Sequence, residues 1–191
     1  MRGKSTEEAM VSSGMNAVEM LKADHRKVEG LFEQFESSTT KREKMKLIKE
    51  VINELTLHTK LEEKLVYPIL LEEKEEEDMA QEAFEEHHVV KNVLKELSSM
   101  DGSEENLKAK MKVLSELVDH HVQEEEKEMF PALEKTGEDL TALGEKISQE
   151  KMKLMQRGSG RRSTRASAKS SGRKTATRSI SRSTTGRRKA S

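Results

Sequence analysis

The stretch LTLHTKLEEKLVYPIL (residues 55–70) is echoed by LVDHHVQEEEKEMFPAL (residues 117–133). Each copy carries a His, a Glu four residues later and a Pro six residues after that Glu: His58, Glu62 and Pro68, then His121, Glu125 and Pro131. A spacing of four puts the His and the Glu on one face of a helix, one turn apart. In both copies that face is also the apolar one. Leu55 and Leu65 flank the first pair, and Leu114, Leu117 and Val118 lead into the second. Charge on an apolar stripe is costly unless something compensates it.

The same three- and four-residue steps recur along the chain. A first helix starts at Asn16 and runs through Leu21, Val28, Leu31, Phe32 and Phe35 until ESSTT (36–40) interrupts it. A second passes Met45, Ile48, Ile52, Leu55 and Leu65 toward Pro68. A third spans about 75–100, with Phe84, Val90, Val93, Leu94 and Leu97 as its stripe. DGS (101–103) marks a turn, and a fourth helix starts near Ser103–Asn106 and carries Leu107, Met111, Leu114, Val118 and Met129 to Pro131. A shorter fifth segment covers about 138–156. No strand alternation interrupts the series. The expected fold class is all-α: an antiparallel, up-down-up-down four-helix bundle with a short C-terminal helix and a disordered basic tail. The two prolines each remove a backbone donor and are read as ending or kinking their helices.

Charge divides the chain in the same place. Residues 157–191 hold 12 Lys and Arg and no acid, which leaves 23 basic against 36 acidic residues in 1–156 behind a net charge of −1. The expected parts are a flexible arm at 1–15, a bundle at 16–156 and a basic tail at 157–191, too poor in apolar residues to offset its ordering entropy. The tail has no aromatic residue and no helical period, which suits sequence-independent contact with nucleic acid or another polyanion. No Cys is present, so disulfides and thiolate metal sites are excluded. No signal-peptide core and no ~20-residue apolar span is found. The expected location is therefore cytoplasmic, with nucleic acid as the candidate companion of the tail.

The six His fall at 25, 58, 87, 88, 120 and 121, with at least one on each long helix. Phase selects the inward ones. His25 is followed at +3, +6, +7 and +10 by Val28, Leu31, Phe32 and Phe35. His87 is followed at the same steps by Val90, Val93, Leu94 and Leu97. His88 and His120 fall off the stripe, on the surface or beside the ligands. Asp24 is placed on the solvated side, and acid runs such as EEEKE (124–128) are read as solvated faces. Tyr67 is read as a half-buried cap at the bundle end. The residues expected to meet in the core are His25, His58, Glu62, His87, His121 and Glu125. Imidazole and carboxylate without sulfur suit iron or manganese. Six ligands exceed what one tetrahedral ion needs and suit two metals bridged by Glu62 and Glu125.

The segments LKADHRKVEGLFEQFE (21–36), HTKLEEKLVYPIL (58–70), EEHHVVKNVLKEL (85–97) and HHVQEEEKEMFPAL (120–133) together resemble the hemerythrin-like, or HHE cation-binding, family. The resemblance spans about 16–133. It implies a non-haem centre of two iron ions, oxo- or hydroxo-bridged, held by the same six residues, with manganese as the alternative metal. It implies a small ligand such as O2, NO or peroxide. The oxygen-carrying members have a second His four residues after the first on the third helix, and Lys91 stands there in this chain. Glu63 and Glu124 are nearby acids whose helical angle points away. The expectation turns from simple oxygen carriage toward binding or sensing iron, oxygen or nitric oxide. The sequence leaves open whether the chain is instead a di-iron enzyme reducing peroxide or nitric oxide, or an iron storage or handling protein, and it names no catalytic residue.

Overall fold

A computed structural model describes residues 14–102 and 105–170 of the chain, with side chains to residue 156. The expected arm, apart from Gly14 and Met15, lies outside the described residues, as do Ser103 and the tail beyond Ser170. Among the described residues the secondary structure is helical throughout, with no strand. The elements are α1 (Ala17–Ser37), α2 (Lys41–Leu65), α3 (Tyr67–Leu71), α4 (Glu77–Ser99), α5 (Leu107–Glu124), a π-helical turn (Glu125–Met129), α6 (Phe130–Lys135) and α7 (Leu140–Ser170).

Local chemistry sets the helix ends. Asn16 caps α1: its Oδ1 accepts from the Glu19 N–H at 3.0 Å, and Glu19 Oε2 accepts from the Asn16 N–H at 2.9 Å. This reciprocal pair satisfies two donors that a helix start would otherwise orphan. Thr40 caps α2 by accepting from the Glu43 N–H at 3.2 Å. Glu77 and Asp78 open α4 with negative charge, which suits a helix N-terminus.

The buried apolar residues form two clusters. One gathers Leu21, Leu61, Tyr67, Leu70, Phe130 and Leu133, and the other Phe32, Phe35, Ile48, Leu55, Leu94 and Leu114, each with smaller neighbours. Chain order shows the topology. α1 leaves the first cluster and enters the second, α2 runs back, α4 repeats the direction of α1 and α5 that of α2. That alternation is the antiparallel four-helix bundle expected from the stripes. Each long helix carries a polar residue midway between the clusters: His25, His58, His87 and His121.

The structure departs from the sequence reading at the end of the fourth helix. The fourth helix does not stay α-helical to Pro131. The Phe130 N–H reaches back to the Glu125 carbonyl, five residues away, so one wider turn precedes the proline. In an α-helix the Pro131 ring would meet the carbonyl four residues back, and the wider turn relieves that clash. In the first copy of the motif the helix instead stops at Leu65 and restarts as α3, with Pro68 in its first turn, where no N–H is needed. At the other end, Leu143 and Ile147 of α7 bury against the first cluster as expected of a C-terminal helix.

Candidate metal centre

All six residues selected by helical phase meet. His25, His58, His87 and His121 are 1–5% exposed, and Glu62 and Glu125 are fully buried. Their donor atoms form two groups. One is His25, His58, Glu62 and Glu125, the other Glu62, His87, His121 and Glu125, and in each group the donor atoms lie within 4.8 Å of one another. Both carboxylates belong to both groups. His25 Nε2 lies 3.1 Å from His58 Nε2 and 3.2 Å from Glu125 Oε2, and His58 Nε2 lies 3.0 Å from Glu62 Oε2. Across the centre, His87 Nε2 lies 3.5 Å from Glu62 Oε2, and His121 Nε2 lies 3.5 Å from Glu125 Oε1.

The donor set fits a bound cation. Both oxygens of Glu62 and Oε2 of Glu125 are buried without a hydrogen-bond partner. Orphaned carboxylate oxygens inside a protein carry a heavy desolvation cost that a cation removes. Electrostatics without metal are correspondingly divided. Burial, then the charge of Glu125, pushes the Glu62 carboxyl up. Burial acts the same way on Glu125, but His121 and His25 overcome it and hold its pKa low. Burial presses the His58 imidazole down, yet Glu62, Asp24 and Glu125 outweigh it and lift it to about 10. His121 is lifted to about 9 against burial by Glu125 and Glu86. Burial, then the charge of His121, pushes His87 down to about 2.

A second layer of carboxylates backs the imidazoles. Each Nδ1 faces an acid on another helix: His58 faces Asp24 Oδ2 (3.9 Å), His87 faces Glu63 Oε1 (3.1 Å), His121 faces Glu86 Oε2 (2.6 Å) and His25 faces Glu126 Oε1 (2.9 Å). The acids pass around the bundle in one direction, from α1 to α2, α2 to α4, α4 to α5, and from the π turn after α5 back to α1. Basic groups steady them from outside. Lys151 Nζ lies 2.6 Å from Asp24, Arg26 lies 2.6 Å from Glu126, Lys91 bonds Glu63, and His120 approaches Glu86 at 3.8 Å. At His25, His87 and His121 the carboxylate is within hydrogen-bond distance of Nδ1 and fixes the tautomer and the ring so that Nε2 points inward as a lone-pair donor, whereas the His58 Nδ1 is buried without a hydrogen bond and feels Asp24 only as a nearby charge.

Sequence reasoning missed this layer. Asp24, placed on the solvated side, and Glu126, read as part of a solvated run, are 16% and 20% exposed and face the imidazoles of His58 and His25. Burial opposes ionisation of Asp24, but His58 and Lys151 prevail and its pKa is about 2. The available signal was an acid directly beside the inward residue on every long helix. Tyr67 is the larger correction. It is not a half-buried cap but fully buried, and its hydroxyl donates to Glu125 Oε1 at 2.9 Å, with His87 Nε2 at 3.1 Å. His88 and His120 are exposed, and His120 joins Glu86 and Glu124 in a separate group at the surface.

A family model described as the hemerythrin HHE cation binding domain matches residues 16–133. The chain belongs to that family. A hemerythrin HHE cation binding domain-containing protein from Mycobacterium kansasii, solved by crystallography, superposes with a TM-score of 0.66 at 28% identity, over 79% of this chain and 93% of its own. An uncharacterized hemerythrin-like protein of Schizosaccharomyces pombe is 31% identical over 114 residues, 59% of this chain. A DNA nickase of Nostoc sp. (strain PCC 7120) is 26% identical over 131 residues, 69% of this chain. The matches span only 56% and 37% of those two curated relatives. Lys91 stands four residues after His87 on α4. Its ammonium is spent on Glu63, the acid that holds His87.

No helix among the described residues is long and apolar enough to cross a membrane. A cavity of about 290 Å³ reaches His25 between α1 and α5, lined by Phe32, Val118 and Val122 and by acids including Glu33 and Glu116.

Proposed function

We propose that this hemerythrin-like chain holds two iron ions and binds or senses a small ligand such as O2, NO or peroxide beside them. The observation that carries the reading is the sharing of Glu62 and Glu125 between two donor groups, each completed by two imidazoles. His25 and His58 would hold one metal, His87 and His121 the other, and the two carboxylates both. Bound iron would supply a redox-active centre with positions at which a small oxygen- or nitrogen-containing ligand can coordinate. The chain supplies the rest. The outer acids at His25, His87 and His121 would keep Nε2 free to donate, the two apolar clusters would keep bulk water away, and the cavity between α1 and α5 has His25 in its wall.

The test is metal content of the purified full chain after incubation with iron(II) in air, with visible absorption recorded together. About two irons per chain, with coloured charge-transfer bands that a strong chelator abolishes, is the expected result. A chain that stays colourless and takes up no transition metal refutes the reading. Turnover of peroxide or nitric oxide by the reduced, loaded chain separates an enzyme from a binder.

A second reading concerns residues 157–191. Their 12 cations without an acid favour contact with nucleic acid or another polyanion, and one relative of the chain is a DNA nickase. DNA affinity that falls steeply with salt and disappears when 157–191 are deleted is expected. Affinity unchanged by the deletion rules out this role for the tail.

A further inference from the structure

One of the four outer acids behaves unlike the other three. Glu126, Glu63 and Glu86 stand 2.9, 3.1 and 2.6 Å from the Nδ1 of His25, His87 and His121, within hydrogen-bond reach. Asp24 stands 3.9 Å from the Nδ1 of His58, and that nitrogen is buried without a hydrogen-bond partner. The donor group of His87 and His121 therefore has two carboxylate-linked imidazoles, and the group of His25 and His58 has one.

The cause lies on α7, outside the matched residues 16–133. Its inner stripe reads Leu140, Leu143, Ile147, Lys151 and Leu154, in steps of three and four. The four apolar members pack on the first cluster, and Lys151 stands on the same face. A partly buried ammonium needs an anionic partner. Lys151 Nζ lies 2.6 and 2.8 Å from the two oxygens of Asp24. Arg26 and Lys91 also hold outer acids, but those acids keep their imidazoles as well. Only Asp24 is drawn away from the ring behind which it stands.

We infer that Lys151 is a positioning residue that keeps Asp24 off His58 and makes the His25–His58 half of the centre the weaker of the two. The inference rests on the two-metal reading above and adds that α7 sets the order in which the halves fill. A carboxylate bonded at Nδ1 raises the basicity of a ligand imidazole, and such links are worth about 10–100-fold in metal affinity. Without the ammonium, Asp24 can turn to His58, and a positive charge leaves the neighbourhood of the bound cation. Both changes strengthen the same half.

The full chain is titrated with iron(II) in the absence of oxygen against a competing chelator. Two steps are expected, the first about tenfold tighter than the second or more. His58→Ala removes the second step and keeps the first. Lys151→Met, an apolar residue on an apolar stripe, tightens the second step about tenfold and changes the first by less than about twofold. Lys151→Arg leaves both steps as they are, and Asp24→Ala added to Lys151→Met abolishes the gain. A lysine that served only to dock α7 would weaken binding on removal, so the direction of the change separates the two roles. Two irons per chain with equal steps, with the first step lost in His58→Ala, or with the second step unchanged or weakened in Lys151→Met overturns the inference and leaves the two-metal reading standing. No iron uptake overturns both.

Discussion

The Nδ1 of His121 lies 2.6 Å from Oε2 of Glu86, a carboxylate on the preceding long helix. The other oxygen of Glu86 approaches the surface residue His120 at 3.8 Å. Glu86 therefore connects a buried donor to the protein exterior without being a donor to the centre itself. Carboxylates in this position orient the imidazole and raise its basicity, and losing one typically weakens metal binding 10–100-fold. Glu86→Ala is expected to lower affinity by about that factor in a chelator competition, while His120→Ala changes it by less than about twofold. Equal losses in the two variants would contradict the assignment.

Sharing has a stoichiometric consequence. Glu62 and Glu125 enter both donor groups, whereas His58 enters one. Glu125→Ala is expected to remove most of both metals, and His58→Ala to leave about one per chain. Metal analysis at fixed free iron reads the difference. Identical stoichiometry in both variants would argue against bridging carboxylates.

Metal uptake should release protons. With no cation present, His58 and His121 are held at about 10 and about 9 by the surrounding carboxylates, so both are protonated at neutral pH. A metal accepts only the unprotonated nitrogen. Affinity is therefore expected to rise from pH 6 to pH 8, by about tenfold per pH unit for each proton displaced. Chelator competition at several pH values, with proton release followed in weak buffer, tests this. A flat profile would mean that the two imidazoles are already neutral in the metal-free chain.

The bundle end has its own sensitive point. A Cβ added at Gly144 in α7 would stand 2.9 Å from the Met15 carbonyl oxygen and 3.0 Å from the Ala17 nitrogen, both backbone atoms. A Cβ at Gly30 in α1 would meet nothing within 4 Å. Gly144→Ala is expected to destabilise by about 1–3 kcal/mol, and Gly30→Ala to stabilise by about 0.5–1 kcal/mol through helix propensity. Thermal unfolding of the two variants should shift in opposite directions.

The six central residues were legible because each lies on an uninterrupted helical stripe, where a step of three or four residues fixes the direction of a side chain. His87 could be told from His88, and His121 from His120, on phase alone. Legibility ends where phase ends. α2 stops at Leu65 and Val66 resets the rotation, so nothing upstream predicts where Tyr67 points. The π turn was hidden for a related reason: its cause is the missing N–H of Pro131, but whether a helix breaks or widens at a proline depends on what it packs against. Asp24, Glu63, Glu86 and Glu126 were hidden differently. Each serves a histidine on another helix, and which helices adjoin is a property of the assembled bundle. A reading of one stripe at a time sees only an acid beside the core, which is also what an ordinary solvated face looks like.

The circuit of outer acids closes on itself, and this gives the bundle a mechanical property. Each long helix both lends a carboxylate to one neighbour and borrows one from the other, so sliding any single helix along its axis parts two links at once. Disturbance at one imidazole therefore bears on all four helices, and through the outer acids on their pairings with Arg26, Lys91, Lys151 and His120.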